Sequence, residues 1–208
     1  MVLLLLAGIA TVAVPAFASE RAGEGPLVCE RESTTGEIER LLLDAELAYA
    51  RLDLEGFRGA AELATRALPC VAEAILPTTA ARYHRVRGMV HFVARERHAA
   101  ARAFAAARWI EPAWRFPDTL VPANNPLLAD YSFIVIEGAR FQAILRPDSG
   151  RVTIDGLPVL LRSLEWPSIV QLFDSTGAVI CTSYLTPQQE LPSYRGKKER
   201  RKPPRKDR

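Results

Sequence analysis

Residues 80–112, AARYHRVRGMVHFVARERHAAARAFAAARWIEP, decide the fold. The apolar positions Tyr83, Val86, Val90 and Val93 recur with helical period, which predicts a helix over about 80–96. A second helix, from about Ala99 to Ile110, is nearly all alanine apart from Phe104 and Trp109. Pro112 closes it, and Pro77-Thr78-Thr79 interrupts the chain before the first helix. Two short helices joined by a tight turn, one of them presenting small side chains, predict a closely packed antiparallel pair.

The chain upstream has the same grammar. Thr34-Thr35-Gly36-Glu37 has the spacing of a capping box, in which the Thr34 hydroxyl accepts from the backbone three residues on and Glu37 reaches back. Ile38, Leu41, Leu42, Ala45, Ala48, Tyr49 and Leu52 then follow a helical period. Asp53 to Gly56 makes a turn, and a second helix runs from Phe57 to Leu68, with Pro69 at its end. At a spacing of forty residues Ala60 matches Ala100, Ala64 matches Phe104 and Ala67 matches Ala107.

This pattern resembles the tetratricopeptide repeat (TPR), whose small residues sit where paired helices touch. Residues 81–114 carry Gly88, Ala100, Phe104, Ala107 and Pro112 at family positions. Residues 41–74 carry Ala48, Phe57, Ala60 and Ala67, without the aromatic on the second helix or the closing proline. His84 and His91 depart from the pattern, standing where the family prefers large aromatics. In that family the first helices line a concave groove. Carried over, the groove would hold Leu42, Ala45, Tyr49 and Leu52 from the first copy, with Arg82, Arg85, Met89 and Phe92 from the second. An apolar floor beside two arginines suits an extended peptide or an acidic chain terminus.

Beyond the polar stretch 115–125, Asn125-Pro126 opens a helix over about Leu127–Ile136 that would cap the stack. From Arg140 the grammar changes to alternation. Gly150-Arg151-Val152-Thr153-Ile154-Asp155-Gly156 reads as a strand ending in a turn, and resembles the opening strand of PEGA-type small β-domains. Ser168–Phe173 and Ala178–Leu185 read as two more strands around Asp174-Ser175-Thr176-Gly177. The expected fold is therefore α+β: an α-helical TPR-like domain over 35–137 followed by a small β-module over 140–192.

Both ends are compositionally distinct. Met1 to Ser19 contains no charge, with an apolar run from Val2 to Val14, then Pro15 and the small-x-small Ala16-Phe17-Ala18. That is the grammar of a secretion signal over 1–18, although no basic residue opens it; the alternative is an uncleaved anchor. Residues 19–34 read as a flexible leader. Arg195–Arg208 holds nine Lys/Arg against Glu199 and Asp207, a net of +7, so the preceding residues sum to −4 within the total of +3. With no apolar residue the run 195–208 is expected to be a disordered basic tail. It suits an anionic membrane surface. Nucleic acid is not expected, since the tail has no aromatic to stack on bases and the chain is expected to be exported.

In an exported protein three cysteines imply one disulfide and one thiol. An antiparallel hairpin brings the start of its first helix beside the end of its second, so Cys29 and Cys70 are expected to pair. Cys181, on a strand, is expected to be free and largely buried.

Other candidate chemistry is thin. His84, His91 and His98 lie seven residues apart, about 10 Å per interval along a helix, too far for one metal ion. The Asp174–Gly177 stretch is similar to an aspartic-protease triplet but has an inserted residue and no second copy. No base accompanies Cys181 in any known nucleophile motif. No catalytic residue, metal or cofactor is expected. The resulting expectation is an exported, non-catalytic protein-binding or scaffold protein of the bacterial periplasm or envelope. One alternative is a structural spacer attached to the envelope through the β-module and tail; the other is a hydrolase of unknown type. Arg82 and Arg85 in open solvent would favour the groove, and burial of that face by the following helix would favour the spacer.

Overall fold

A computed structural model describes residues 29–194, so the signal segment 1–18, leader residues 19–28 and the tail 195–208 lie outside the described residues. Helices come first and strands second, as the α+β expectation requires: α1 Thr35–Ala50, α2 Leu54–Ala67, α3 Pro77–Val93, α4 Arg97–Ile110 and α5 Pro126–Ser132, then β1 Phe141–Ala143, β2 Arg151–Ile154, β3 Leu161–Ser163, β4 Ser168–Phe173 and β5 Val179–Leu185. None of the described helices is long and apolar enough to cross a membrane.

The helix ends follow from local chemistry. The Thr34 hydroxyl accepts from the Glu37 amide at 3.1 Å, but only half of the capping box forms. The Glu37 carboxylate turns instead to Arg31 at 3.0 Å, and that hydrogen bond holds its pKa below the usual carboxylate range. The residues read as a turn before α2 begin the helix: the Asp53 carboxylate accepts from the Gly56 amide at 2.9 Å as an N-cap. Helix α3 starts at Pro77 rather than Ala80, because proline at the first helical position gives up an amide that has no intrahelical partner. Helix α5 stops at Ser132, short of the expected Ile136. Arg108 of α4 there donates to the carbonyls of Tyr131 at 3.2 Å, Ser132 at 3.1 Å and Ile134 at 2.9 Å, drawing off the acceptors of the next turn.

Helices α1–α2 and α3–α4 form two antiparallel hairpins. Their contacts are made by small residues: Ala60, Ala64, Ala100 and Ala107 are all buried. A β-carbon on Gly88 would collide with the Phe104 ring, so the second hairpin closes only on glycine at that position.

The strands form two sheets, a ribbon β1–β3 and an antiparallel sheet ordered β2–β4–β5. The second is tied to the helices rather than strung behind them. Gln171 of β4 accepts from the Ile75 amide at 2.8 Å and donates to the Glu73 carbonyl at 2.8 Å. Thr182 of β5 donates to the Val71 carbonyl at 2.9 Å. Asp155, in the turn after β2, lies 2.8 Å from His84 Nε2 of α3. Ile169 of β4 and Tyr184 of β5 pack into the helical core.

Candidate functional site

The face expected to form a groove is filled by the chain itself. Leu42, Ala45, Tyr49 and Met89 are buried, at 1%, 0%, 6% and 0% exposure. They share a core with Phe116, Leu120, Val121, Leu127 and Tyr131, which come from the stretch after α4 and from α5. Phe92 is half-buried against the same core, whereas Leu52 is 83% exposed at the tip of the α1–α2 turn. Asn125 donates to the Tyr49 hydroxyl at 3.4 Å, and the aromatic rings of Phe104, Phe116 and Tyr131 meet at centroid separations of 4.9–6.1 Å. The physical reason is composition: the segment read as a polar linker carries Phe116, Leu120 and Val121, enough apolar surface, with Trp114 just before it, to fold back over the face.

The two groove arginines have partners within the chain. Arg82 Nε donates to Glu46 at 3.0 Å, bridging α3 to α1. Arg85 is 5% exposed, donates to Glu111 at 2.5 Å and stacks over Trp114 at 3.8 Å. What remains of the groove mouth is a polar hollow of about 370 Å³ bounded by Glu39, Glu46, Thr79, Arg82, Arg85 and Glu111. Burial pushes the Tyr49 and Tyr131 phenols above their ordinary pKa, consistent with their place beneath this cover.

An open apolar cleft of about 550 Å³ lies elsewhere, where α4, the end of α5 and the β3–β4 connection meet. Its floor is Ala101, Ala105, Ile134 and Trp166. Phe133 and Val135 stand at its edge at 81% and 73% exposure, and Arg97, His98 and Arg102 rise from α4. Arg97 and Arg102 form no ion pair among the described residues, while Asp130 and Glu165 mark the opposite rim. Beside the cleft Trp109, Phe141 and Trp166 form an aromatic cluster, with the Trp109 and Phe141 centroids 4.9 Å apart. This cleft has no signature in the sequence, since its parts come from segments about thirty residues apart.

The histidines separate in space. His84 is buried against Asp155, His91 lies 2.6 Å from Glu96, and His98 reaches the cleft. Among the described residues no three His, Cys, Asp or Glu side chains gather as metal ligands. Asp174 is a hairpin-turn residue, its carboxylate accepting from Thr176 Oγ1 at 2.7 Å and from the Thr176 and Ala178 amides at 2.8 and 3.0 Å. These bonds, the Thr176 hydroxyl foremost, hold its pKa low. Cys181 is a free thiol, as expected, and half-buried where a largely buried one was expected, with Sγ 3.3 Å from Ser183 Oγ.

Cys29 and Cys70 are joined in a disulfide with a Cα separation of 5.5 Å, the pairing expected from the hairpin. Beside it the Ser33 amide donates to the Cys70 carbonyl at 2.8 Å, and the Ala72 amide donates to Ser33 at 3.2 Å. The chain matches no protein family, no curated protein and no solved structure.

Proposed function

We propose that this chain is an exported, non-catalytic scaffold protein of the bacterial periplasm or envelope, attached through its β-module and basic tail rather than acting as a groove-type peptide receptor. The observation that carries this reading is the closed helical face. Leu42, Tyr49 and Met89 pack under Phe116–Tyr131, and Arg85 is consumed by Glu111 and Trp114. A TPR-like face that holds its own chain supports a rigid body, and the buried Gln171, Thr182 and Asp155 contacts extend that body into the sheet. The uncharged N-terminal segment and the Cys29–Cys70 bridge support an oxidising, exported setting.

A protein partner, in this reading, docks at the α4–α5–Trp166 cleft. Its small-residue floor admits a close approach, its edge offers Phe133 and Val135, and Arg97 and Arg102, which form no ion pair among the described residues, favour a segment with both apolar and acidic side chains. The test is affinity purification from envelope extract with three baits: wild type, Ala101→Trp to fill the cleft, and Arg82→Ala at the old groove mouth. A partner kept by wild type and Arg82→Ala but lost by Ala101→Trp supports the cleft. One lost only with Arg82→Ala returns binding to the groove. Recovery of the protein from the cytoplasm rather than the envelope would overturn the scaffold reading itself.

A further inference from the structure

The segment that follows α5 is two-sided. Along residues 133–137 exposure alternates: Phe133, Val135 and Glu137 face solvent, while Ile134 and Ile136 are half-buried against Ala105, Ala106 and Trp166. Arg108 braces this run on α4 by donating to the Ile134 carbonyl at 2.9 Å. Phe133 and Val135, at 81% and 73% exposure, therefore stand at the edge of the cleft without filling it. Across from them Arg97, Ala101 and Ala105 follow one another at four-residue spacing on α4, so the small side chains of the floor and a cation share one stripe. Exposed apolar side chains beside an open space of about 550 Å³ mark an interaction site.

The charges at the rims identify the occupant. On the α4 side Arg97 and Arg102 form no ion pair among the described residues. On the other side Asp130 and Glu137 flank the apolar row in sequence and likewise form none, while Glu165 is held by Arg140 at 3.4 Å. The cleft thus favours a segment with apolar and acidic side chains, and its own edge is such a segment. A patch with cations along one rim and carboxylates along the other is complementary to itself. A twofold axis running between the rims sets each rim against its opposite on a second copy. The same rotation lays the outward row of each copy over the α4 stripe of the other. We infer that the cleft is the interface of a twofold homodimer, in which Phe133 and Val135 of each copy enter the cleft of its partner. This inference rests on the reading of the cleft as the docking site and names its occupant.

The experiment is sedimentation equilibrium of purified full-length protein at concentrations up to about 0.1 mM. Wild type is expected to show a monomer–dimer equilibrium. Phe133→Ser with Val135→Ser, both at exposed positions, is expected to weaken it by roughly a hundredfold or more. Arg97→Glu with Arg102→Glu leaves carboxylates on both rims, and Asp130→Lys with Glu137→Lys leaves cations on both. Each of these variants is expected to weaken self-association by about tenfold or more, since like charges then meet at both ends of the interface. Mixed in equal amounts, the two restore opposite charges at both ends and are expected to form a heterodimer with close to wild-type affinity, a rescue that damage to the fold would not give. Circular dichroism melting checks that every variant keeps the wild-type fold. Wild type that stays monomeric overturns the dimer. If envelope extract then still yields a partner that Ala101→Trp loses, the second copy fails as occupant while the cleft reading stands. Self-association unchanged by Phe133→Ser with Val135→Ser overturns the cleft as its site. A mixture that associates no better than either reversed variant alone overturns the twofold pairing.

Discussion

His84 Nε2 on α3 lies 2.8 Å from Asp155 Oδ1 in the turn after β2, a buried contact between residues seventy-one positions apart. The same carboxylate oxygen accepts from the Ile169 amide at 2.7 Å, so one acidic side chain ties together a helix, a turn and a central strand. Asp155 holds a left-handed backbone, with φ of 53°, a conformation that asparagine also tolerates. Asp155→Ala would leave two buried donors without an acceptor and is expected to cost about 2–4 kcal/mol in denaturant unfolding. Asp155→Asn keeps the acceptor oxygen and is expected to cost clearly less. Equal losses for the two would mean that a neutral acceptor oxygen does not replace the carboxylate and that its charge carries the contact.

The second prediction concerns the contact between Gly88 and Phe104. Any β-carbon at Gly88 meets that ring, so Gly88→Ala is expected to destabilise by roughly 1–3 kcal/mol despite alanine's better helix propensity. Ala100→Leu and Ala107→Leu, at 1% and 0% exposure, are expected to cost a similar amount, while exposed Ala101→Leu costs little. Thermal melts of the four variants check the pattern. Wild-type stability in both buried alanine variants would contradict the close helix packing.

A third follows from the closed face. Leu127 is fully buried in the helical core, and Leu127→Ala is expected to cost about 2–5 kcal/mol. If α5 were merely resting on an otherwise complete surface, the same substitution would leave unfolding unchanged.

The basic tail is expected to add nothing to this stability. Removing Arg195–Arg208 takes away charge and no apolar surface, so the melting temperature is expected to stay where it is. A drop of several degrees would show that the tail packs on the body.

Local features were legible in the sequence. The Thr34 cap, the helical periods, the strands at 168–173 and 179–185 and the hairpin turn at Asp174 all depend on neighbours within a few residues. The Cys29–Cys70 pairing was legible because hairpin geometry alone places those residues together. The fate of the groove was not. Prolines and charges in 115–125 disguise Phe116, Leu120 and Val121 as a linker, and periodicity says nothing about which surface such residues cover. Short strands such as β1 and β3 carry too few residues for alternation to show. The Gln171, Thr182 and His84 bonds between helices and sheet join residues with no sequence relation to one another.

The central claim is an exported scaffold, and the cysteines test it most directly. The bridge spans a sequence separation of 41, and closing such a loop contributes roughly 3–4 kcal/mol on the chain-entropy estimate. The measurement is non-reducing peptide mapping of protein recovered from fractionated cells after export by its own N-terminal segment. The account predicts protein in the envelope fraction, a linked Cys29–Cys70 peptide and a free thiol at Cys181. Protein in the cytoplasm with free thiol at all three positions would contradict it.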